Sequence, residues 1–387
     1  MEKYTGIAHG TKMELMKNGL SKPAIIRIAS ALSKVFNDFP QNKFIELSQH
    51  NIEALELKAR VNHLILTMHQ FMPDDFNEAA NALQKIESYW DFGHQDDPHR
   101  AFAAWPIIDY IAHYGLSYPE KSLATLKILT ELFSAEFAIR PFISQHHDYC
   151  YQQFKLWARD ESEHVRRLVS EGTRPRLPWG EQLKQFIEDP QANLPLLDQL
   201  KNDESLYVRR SVANHLNDIA KDHSELVINT CQRWLNEANT QPSSSSHLQW
   251  VIKHATRSLI KSGHPEVFSL LGYTKKPLIS VSQLKLSSNN IAMGEALCFQ
   301  FAITSEVQKI QNLVVDFAIH FVKANGEKRP KVFKLKNVEL KANEKISFEK
   351  RHAFKLITTR KYYTGEHVLE VLVNGKAVTK QTFNLLT

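Results

Sequence analysis

The sequence predicts a mainly α-helical chain that ends in an all-β sandwich. Three observations carry this reading. A motif recurs at a fixed offset of 43 residues in the helical part. From about residue 272 onward, apolar residues alternate with polar ones instead of recurring at helical spacing. The charge balance changes sign at the same place. Residues 1–272 hold 29 Lys and Arg against 33 Asp and Glu, whereas residues 273–387 hold 19 against 9.

A chain of 387 residues is long enough for two or three domains and a sizeable core. No apolar run approaches the roughly 20 residues needed to span a bilayer. The opening MEKYTGIAHGTKMELMKNG lacks the apolar centre of a signal peptide. The three cysteines, Cys150, Cys231 and Cys298, are odd in number and far apart, which fits a reducing compartment without a disulfide framework. The expected location is the cytoplasm. The lysine-rich last part reads as a surface for a polyanion.

The helical elements follow from apolar spacing. SKPAIIRIASALSKVF (21–36) places Ile25, Ile28, Ala29, Leu32 and Val35 or Phe36 on one face. Residues 52–72 do the same with Leu55, Ala59, Leu64 and Met68. PEKSLATLKILTELFSAEFAIRPFI (119–143) opens with a proline, a common first helical residue. Its pattern runs to Arg140, where Pro141 breaks or bends it.

The repeat organises the rest. DESEHVRRLVSEG begins at Asp160, DESLYVRRSVANH at Asp203, and a weaker copy, VIKHATRSLIKSGH, at Val251. A period near 40–47 with two helices per unit falls in the HEAT/armadillo range, and such units stack into a solenoid. The expected boundaries are 1–272 for a HEAT-like α-helical solenoid and 273–387 for the basic sandwich.

A stretch rich in Pro and Ser, QPSSSSH (241–247), reads as a flexible link between helices. After it, the segments 279–287, 295–304, 313–322, 331–340, 345–354 and 366–386 alternate as strands do. Asn-Gly pairs at 325–326 and 374–375 are hairpin turns. About seven strands in such a length point to an immunoglobulin-like sandwich.

One stretch concentrates chemistry. VRRLVSEGTRPRLPW (165–179) holds four arginines, one glutamate and one tryptophan. On a helix, Val165, Leu168 and Val169 share the packed face. Arg166 with Ser170, and Arg167 with Glu171, then form exposed rows at i,i+4. Gly172 ends the helix, and TRPRLPW follows as a stiff loop that projects Arg174, Arg176 and Trp179. Two guanidinium groups there suit phosphate clamping by paired hydrogen bonds. Glu171 has Asn214 and Arg257 as its counterparts at the 43-residue offset, so its chemistry does not follow the architecture.

VRRLVSEGTRPRLPW, with SAEFAIRPFI (134–143) and VRRSVANHLNDIAKDH (208–223), resembles the bacterial alkylpurine DNA glycosylases of the AlkC type. These belong with AlkD to the HEAT-like-repeat glycosylases. The likeness covers residues 1 to about 270. Some members carry an immunoglobulin-like C-terminal domain, which the β-rich module fits. The resemblance implies hydrolysis of the N-glycosidic bond of cationic N-alkylated bases, such as N3-methyladenine and N3-methylcytosine, in double-stranded DNA, leaving an abasic site.

It further implies essential carboxylates in two of these blocks, carried here onto Glu136 and Glu171. Glu136 also precedes Arg140 by four, so a helical ion pair is its structural explanation. Asp160 is the runner-up, although Asp160 with Glu163 also reads as a capping box at a helix start. Trp179 leads the aromatic candidates, ahead of Trp105 and Trp157. Arg174 and Arg176 are the expected phosphate contacts, and Arg140, Arg166, Arg167, Arg209 and Arg210 are possible members of the same basic lining.

Other motifs are absent. His146 and His147 are adjacent and lack a third ligand at metal-like spacing. There is no GxxxxGK[ST] loop and no GxSxG elbow. No cofactor or metal is expected. No lysine lies in the two site blocks, which points to a monofunctional enzyme without a Schiff-base step. The expected partner is alkylated duplex DNA, met by a monomer near the nucleoid and away from membranes. Two alternatives compete: a catalytically inactive DNA-binding or scaffold solenoid, and a protein-interaction solenoid with an adhesion-type sandwich.

Overall fold

A computed structural model describes residues 15–240, 245–357 and 360–387. The opening segment 1–14 and part of the serine-rich link, 241–244, lie outside the described residues. The chain divides into two compact units, Met1–Asp218 and Ile219–Thr387.

The first unit is helical. Its helices include Lys22–Val35, Leu57–His69, Trp105–Tyr114, Pro119–Leu129, Ile139–Gln145, Glu163–Gly172 and most of Leu206–Ile219. Lys22–Val35 buries Ile25, Ile28, Ala29 and Leu32 as its spacing predicts. The face of Leu57–His69 differs from expectation. Arg60, Val61, Leu64, Ile65, Thr67 and Met68 are buried, while Ala59 is exposed. Arg60 can occupy the core because its guanidinium donates to the carbonyls of Leu55, Lys17, Leu20 and Glu53.

The single helix expected over 119–140 is two helices. The first stops at Leu129 and the second starts at Ile139. Thr130 explains the interruption, since its Oγ1 accepts from the Ala135 amide at 3.2 Å and so competes with the helical ladder. Ala135 and Ala138 are buried and anchor the turn. Glu136 is thereby placed in a turn, not on a helix, and does not pair with Arg140. Pro141 sits in the first turn of the second helix, where no amide is needed.

Glu163–Gly172 begins at Ser162, whose Oγ accepts from the amides of His164 and Val165 at 3.2 and 3.4 Å. Ser162, not Asp160, is the cap; Asp160 accepts from the Ser162 amide and pairs with Lys127 at 2.6 Å. The helix ends where it meets its neighbour. A Cβ on Gly172 would stand 2.6 Å from Ile139 Cγ2, so glycine allows the close approach of the Ile139–Gln145 helix.

The second unit carries the helices Ser224–Thr240, Ser245–Ala255, Arg257–Lys261 and Pro265–Leu270 together with nine strands. These are β1 (Ile279–Val281), β2 (Lys285–Leu286), β3 (Asn290–Ala292), β4 (Ala296–Ser305), β5 (Gln311–Val322), β6 (Lys328–Leu340), β7 (Lys345–Ala353), β8 (Gly365–Val373) and β9 (Lys376–Leu386). One sheet joins β1, β4 and β2, with β7 also on β4; the other runs β3-β9-β8-β5-β6. All pairings are antiparallel except β3 with β9. Inward residues of both sheets, among them Leu297, Phe299, Phe317, Ile319, Leu369 and Phe383, form one core, as the alternation predicts.

The Asn374–Gly375 pair closes the β8–β9 hairpin with φ of 46° and 75°. That turn packs against the end of the Arg257–Lys261 helix. A Cβ on Gly375 would stand 2.3 Å from Gly263 Cα. Division by packing therefore falls earlier than the change from helix to strand near residue 272.

Candidate functional site

The two VRR copies place their first arginines alike. Arg166 forms a fork on Asp203, with Nε and Nη2 at 2.6 and 3.0 Å from its two oxygens. Its Nη1 donates to the carbonyls of Asp160 and Glu161. Arg209 repeats the second contact on Asp203 and Glu204, at 2.5 and 2.8 Å. Both guanidinium groups are buried. They tie each helix to the loop that precedes it, and Arg166 also holds its repeat to the next. The exposed row expected for Arg166 and Ser170 is therefore not seen, and neither is the exposed basic lining expected of Arg166 and Arg209.

The second arginines diverge. Arg210 is exposed. Arg167 is largely buried and faces three partners. Its Nη1 lies 2.8 Å from Glu136 Oε2 and donates to Ser134 Oγ at 2.6 Å. Its Nη2 lies 3.7 Å from Glu171 Oε1. The Tyr207 ring lies 4.5 Å from the guanidinium carbon, within the reach of a cation–π contact. Burial works against the charge of Arg167, but Glu136, Glu171 and Tyr207 outweigh it and hold its pKa above the ordinary value.

Glu171 is held on both oxygens. Oε1 accepts from Arg174 Nη1 at 2.6 Å, and Oε2 accepts from Ser211 Oγ at 2.6 Å. Arg174 reaches on to Asp218, with Nε and Nη2 each 2.8 Å from Oδ2. A single line of alternating charge results: Glu136, Arg167, Glu171, Arg174, Asp218. The side chains of Glu171, Arg174 and Asp218 are 7%, 8% and 4% exposed. Glu136 differs from Glu171. Its Oε2 takes Ser134 Oγ and Arg167, while Oε1 accepts no protein hydrogen bond among the described residues.

Sequence reasoning missed Asp218, Ser134, Ser211 and Tyr207. A signal was present for two of them. Ser211, His215 and Asp218 recur at i, i+4 and i+7 and are all buried, a polar stripe beside the buried apolar residues Val208, Val212, Ala213 and Leu216 of the same helix.

The loop after Gly172 does not project its arginines. Thr173 is buried and its Oγ1 donates to Val169 O at 2.6 Å. Arg174 folds back to the carboxylates and does not stand as an exposed phosphate clamp. Arg176 is half-buried. Arg140 is fully buried and braces the loop, donating from Nε to Glu181 O at 2.6 Å and from Nη1 to Gly172 O at 2.8 Å. Burial, the largest influence, lowers its pKa to about 10. Trp179 is 54% exposed and has a φ of 66°. A bulky residue in that region is strained, a feature that tends to persist at functional sites. Lys58 holds its carbonyl by a short hydrogen bond.

The other two candidate tryptophans, Trp105 and Trp157, are buried. Trp157 packs edge-on to Phe154. Trp105 donates from Nε1 to Asp109 Oδ2 at 2.7 Å and stacks on Phe137. Among the described residues no group of three or more His, Cys, Asp or Glu could hold a metal ion. No described helix is long and apolar enough to cross a membrane.

The polar cluster has a consequence for stability. His215 is fully buried, with Nδ1 2.9 Å from Ser170 O. Burial, helped by the charge of Arg174, pushes its pKa from 6.5 down to about 3. Between those values the unfolded chain binds a proton that the folded chain does not. Stability is therefore intact above pH 6.5 and falls on acidification, by up to about 1.4 kcal/mol per pH unit for one such group. His352 and His367, pushed by burial to about 4, act with the same sign. The thermal midpoint is expected to drop as pH falls below 6.5, and His215→Asn to shallow the slope. An unchanged slope in that variant would contradict this role of His215.

Comparison with known proteins places the chain in a family. Residues 280–387 match the family described as "Uncharacterised protein YhaZ, C-terminal Ig-like domain". The uncharacterized protein YhaZ of Bacillus subtilis is 34% identical over 371 residues, covering 96% of this chain and 99% of the relative. The alkylpurine DNA glycosylase AlkC of Pseudomonas fluorescens, solved on DNA containing an abasic site analog, is 34% identical with a TM-score of 0.87. That match covers 97% of this chain and 100% of the other. The chain thus belongs to the AlkC-type family of DNA alkylation-repair glycosylases and carries a C-terminal Ig-like domain.

Proposed function

We propose that the chain is a monofunctional DNA glycosylase. It hydrolyses the N-glycosidic bond of cationic N-alkylated bases, N3-methyladenine and N3-methylcytosine among them, in duplex DNA. The product is an abasic site. The observation that carries this reading is the fixed line Glu136–Arg167–Glu171–Arg174–Asp218.

An alkylated base is already a cation. When its bond to C1′ breaks, the base takes the electron pair and leaves neutral, so no general acid is required. Positive charge moves to the deoxyribose. Carboxylates held in place beforehand stabilise that charge without reorganising. Water adds to C1′ and gives up a proton, as in other glycosidic hydrolyses. Glu136 suits this step, because Oε1 is open while Oε2 is fixed by Ser134 and Arg167. Glu171 and Asp218 act as fixed negative charges, both oxygens of Glu171 being engaged. Trp179, exposed at the end of the same loop, meets DNA in this reading.

In this reading the helical part, residues 1–272, carries catalysis and the basic Ig-like part adds electrostatic affinity for DNA. The protein works as a monomer, without a cofactor, in the cytoplasm at the nucleoid. The test is base release from duplex DNA containing N3-methyladenine. Release of the free base is expected, with strand cleavage only after alkali. Binding without release would replace this reading with that of a DNA-binding scaffold. Cleavage without alkali would contradict the monofunctional assignment.

A further inference from the structure

A cavity of about 440 Å³ lies within the second unit, lined by β5, β6 and the helices Ser245–Ala255 and Arg257–Lys261. The size falls in the range of roughly 300–1,000 Å³ typical of small-ligand sites. Alternation along β5 builds one side of it. Val315 and Phe317 belong to the sandwich core, while Val314 and Asp316, on the opposite face of the sheet, line the cavity. Val332 of β6 and Leu271 extend the apolar lining.

The polar and aromatic lining is sorted by position. Trp250 is 37% exposed and stacks on His254, one turn further along its helix, at 5.0 Å and 9°. That contact fixes the plane of the indole. Tyr273 is held by Asn337, whose Nδ2 donates to its hydroxyl at 2.7 Å. Lys253, Arg257 and Lys261 line the cavity at i, i+4 and i+8 and so form one row of cations. Both lysines are exposed. Asp316 lies at the opposite extreme, 6% exposed. Lys334, its register partner on β6, and the Leu335 amide favour its charge, but burial outweighs them and raises its pKa. Asp316 Oδ1 is buried with no hydrogen-bond partner among the described residues. Such an oxygen is costly unless a donor reaches it.

Aromatic rings, a buried acceptor and an exposed row of cations select one ligand chemistry. The ligand is flat, carries a hydrogen-bond donor at one end and bears an anion at the other. We propose that this cavity binds a nucleoside monophosphate whose base carries an exocyclic amine. The base lies against Trp250 and Tyr273, the amine donates to Asp316 Oδ1, and the phosphate meets the row Lys253, Arg257 and Lys261. An ionised carboxylate only accepts, so it distinguishes an amine from a carbonyl at the same ring position. Guanidinium and ammonium groups supply charge-assisted hydrogen bonds to the phosphate. The carboxylate line belongs to the first unit, so this site stands whether or not the chain releases bases.

The test is calorimetry of the full-length protein with adenosine 5′-monophosphate. Adenosine, which lacks the phosphate, is expected to bind about tenfold more weakly. Inosine 5′-monophosphate, which presents a carbonyl oxygen in place of the amine, should also lose about tenfold. Asp316→Asn should bring the two monophosphates within about twofold, because an amide donates as well as accepts. Lys261→Gln should narrow the gap between adenosine monophosphate and adenosine by removing one phosphate partner. Lys261 is exposed, so this arm remains readable even where Asp316→Asn fails to fold.

No binding, equal affinity for adenosine and its monophosphate, or a preference over inosine monophosphate that survives Asp316→Asn overturns the inference. Competition with an unmodified DNA duplex closes the test. Adenosine monophosphate that stays bound at saturating duplex supports a separate nucleotide site. Displacement by the duplex, with Lys261→Gln weakening both ligands alike, assigns the cation row to the DNA backbone and overturns the inference. Base release by wild type decides the functional reading independently, so either one can fail while the other stands.

Discussion

Glu136→Gln is expected to lower base release from alkylated duplex DNA by on the order of 10²–10³-fold while DNA binding stays within a few-fold. Three features make this the most severe effect on activity. Glu136 Oε1 accepts no protein hydrogen bond among the described residues, whereas both oxygens of Glu171 are engaged, so Glu136 is able to take a proton from an attacking water. The residue lies in a turn anchored by Ala135, Ala138 and Thr130, so its replacement disturbs no helix. Glutamine retains an acceptor for Ser134 and Arg167, so the geometry survives and the charge is lost. The measurement is single-turnover release with saturating enzyme, which separates chemistry from binding. A variant within about threefold of wild type would remove Glu136 from the mechanism. The water-positioning role would then pass to Glu171 or Asp218. Glu171→Gln under the same conditions is expected to lose activity together with some stability, because both its oxygens are structural partners as well.

Much of this was legible in the sequence, for physical reasons that also explain the gaps. The 43-residue repeat is an architectural signal, and the structure shows what it encodes. Arg166 and Arg209 make the same carbonyl contacts in successive units. Repetition marks a structural residue, and its failure marks a different one. Glu171 breaks the repeat and sits in the charged line. The sandwich was readable because strands such as β4 and β9 alternate at period two, although β5 is buried on both faces.

Burial of the charges was not readable. A guanidinium at the end of a helix looks exposed until its acid appears from another segment, and Asp218 lies 44 residues beyond Arg174. Asp160 was mistaken for a cap because an aspartate two residues before the true cap, Ser162, satisfies the same amide-rich turn. A cavity lined by Trp105, Asp109, Phe137 and Trp179 could not be read at all. Its walls come from four separate segments that only packing brings together.

Arg174→Ala separates the two roles this arginine has been given. If Arg174 clamps a phosphate, its removal weakens DNA binding, reduces the salt slope by about one, and leaves the fold untouched. The geometry argues otherwise. One guanidinium bridges Glu171 and Asp218, both almost fully buried. Removing it takes this counter-charge from two carboxylates that lie away from water, with Ser211 and the more distant Arg167 left near Glu171. Breaking a buried pair in this way costs roughly 3–5 kcal/mol. The loss is expected in the denaturation midpoint, before any question of DNA arises. Arg174→Lys should not restore it, because one ammonium cannot reproduce a fork that spans two acids. Adding Asp218→Asn to Arg174→Ala should recover part of the loss by removing one stranded charge. A stability change under about 1 kcal/mol with a lowered salt slope would return Arg174 to the phosphate backbone. A large loss with partial recovery would make it the strut that holds the two buried carboxylates in place.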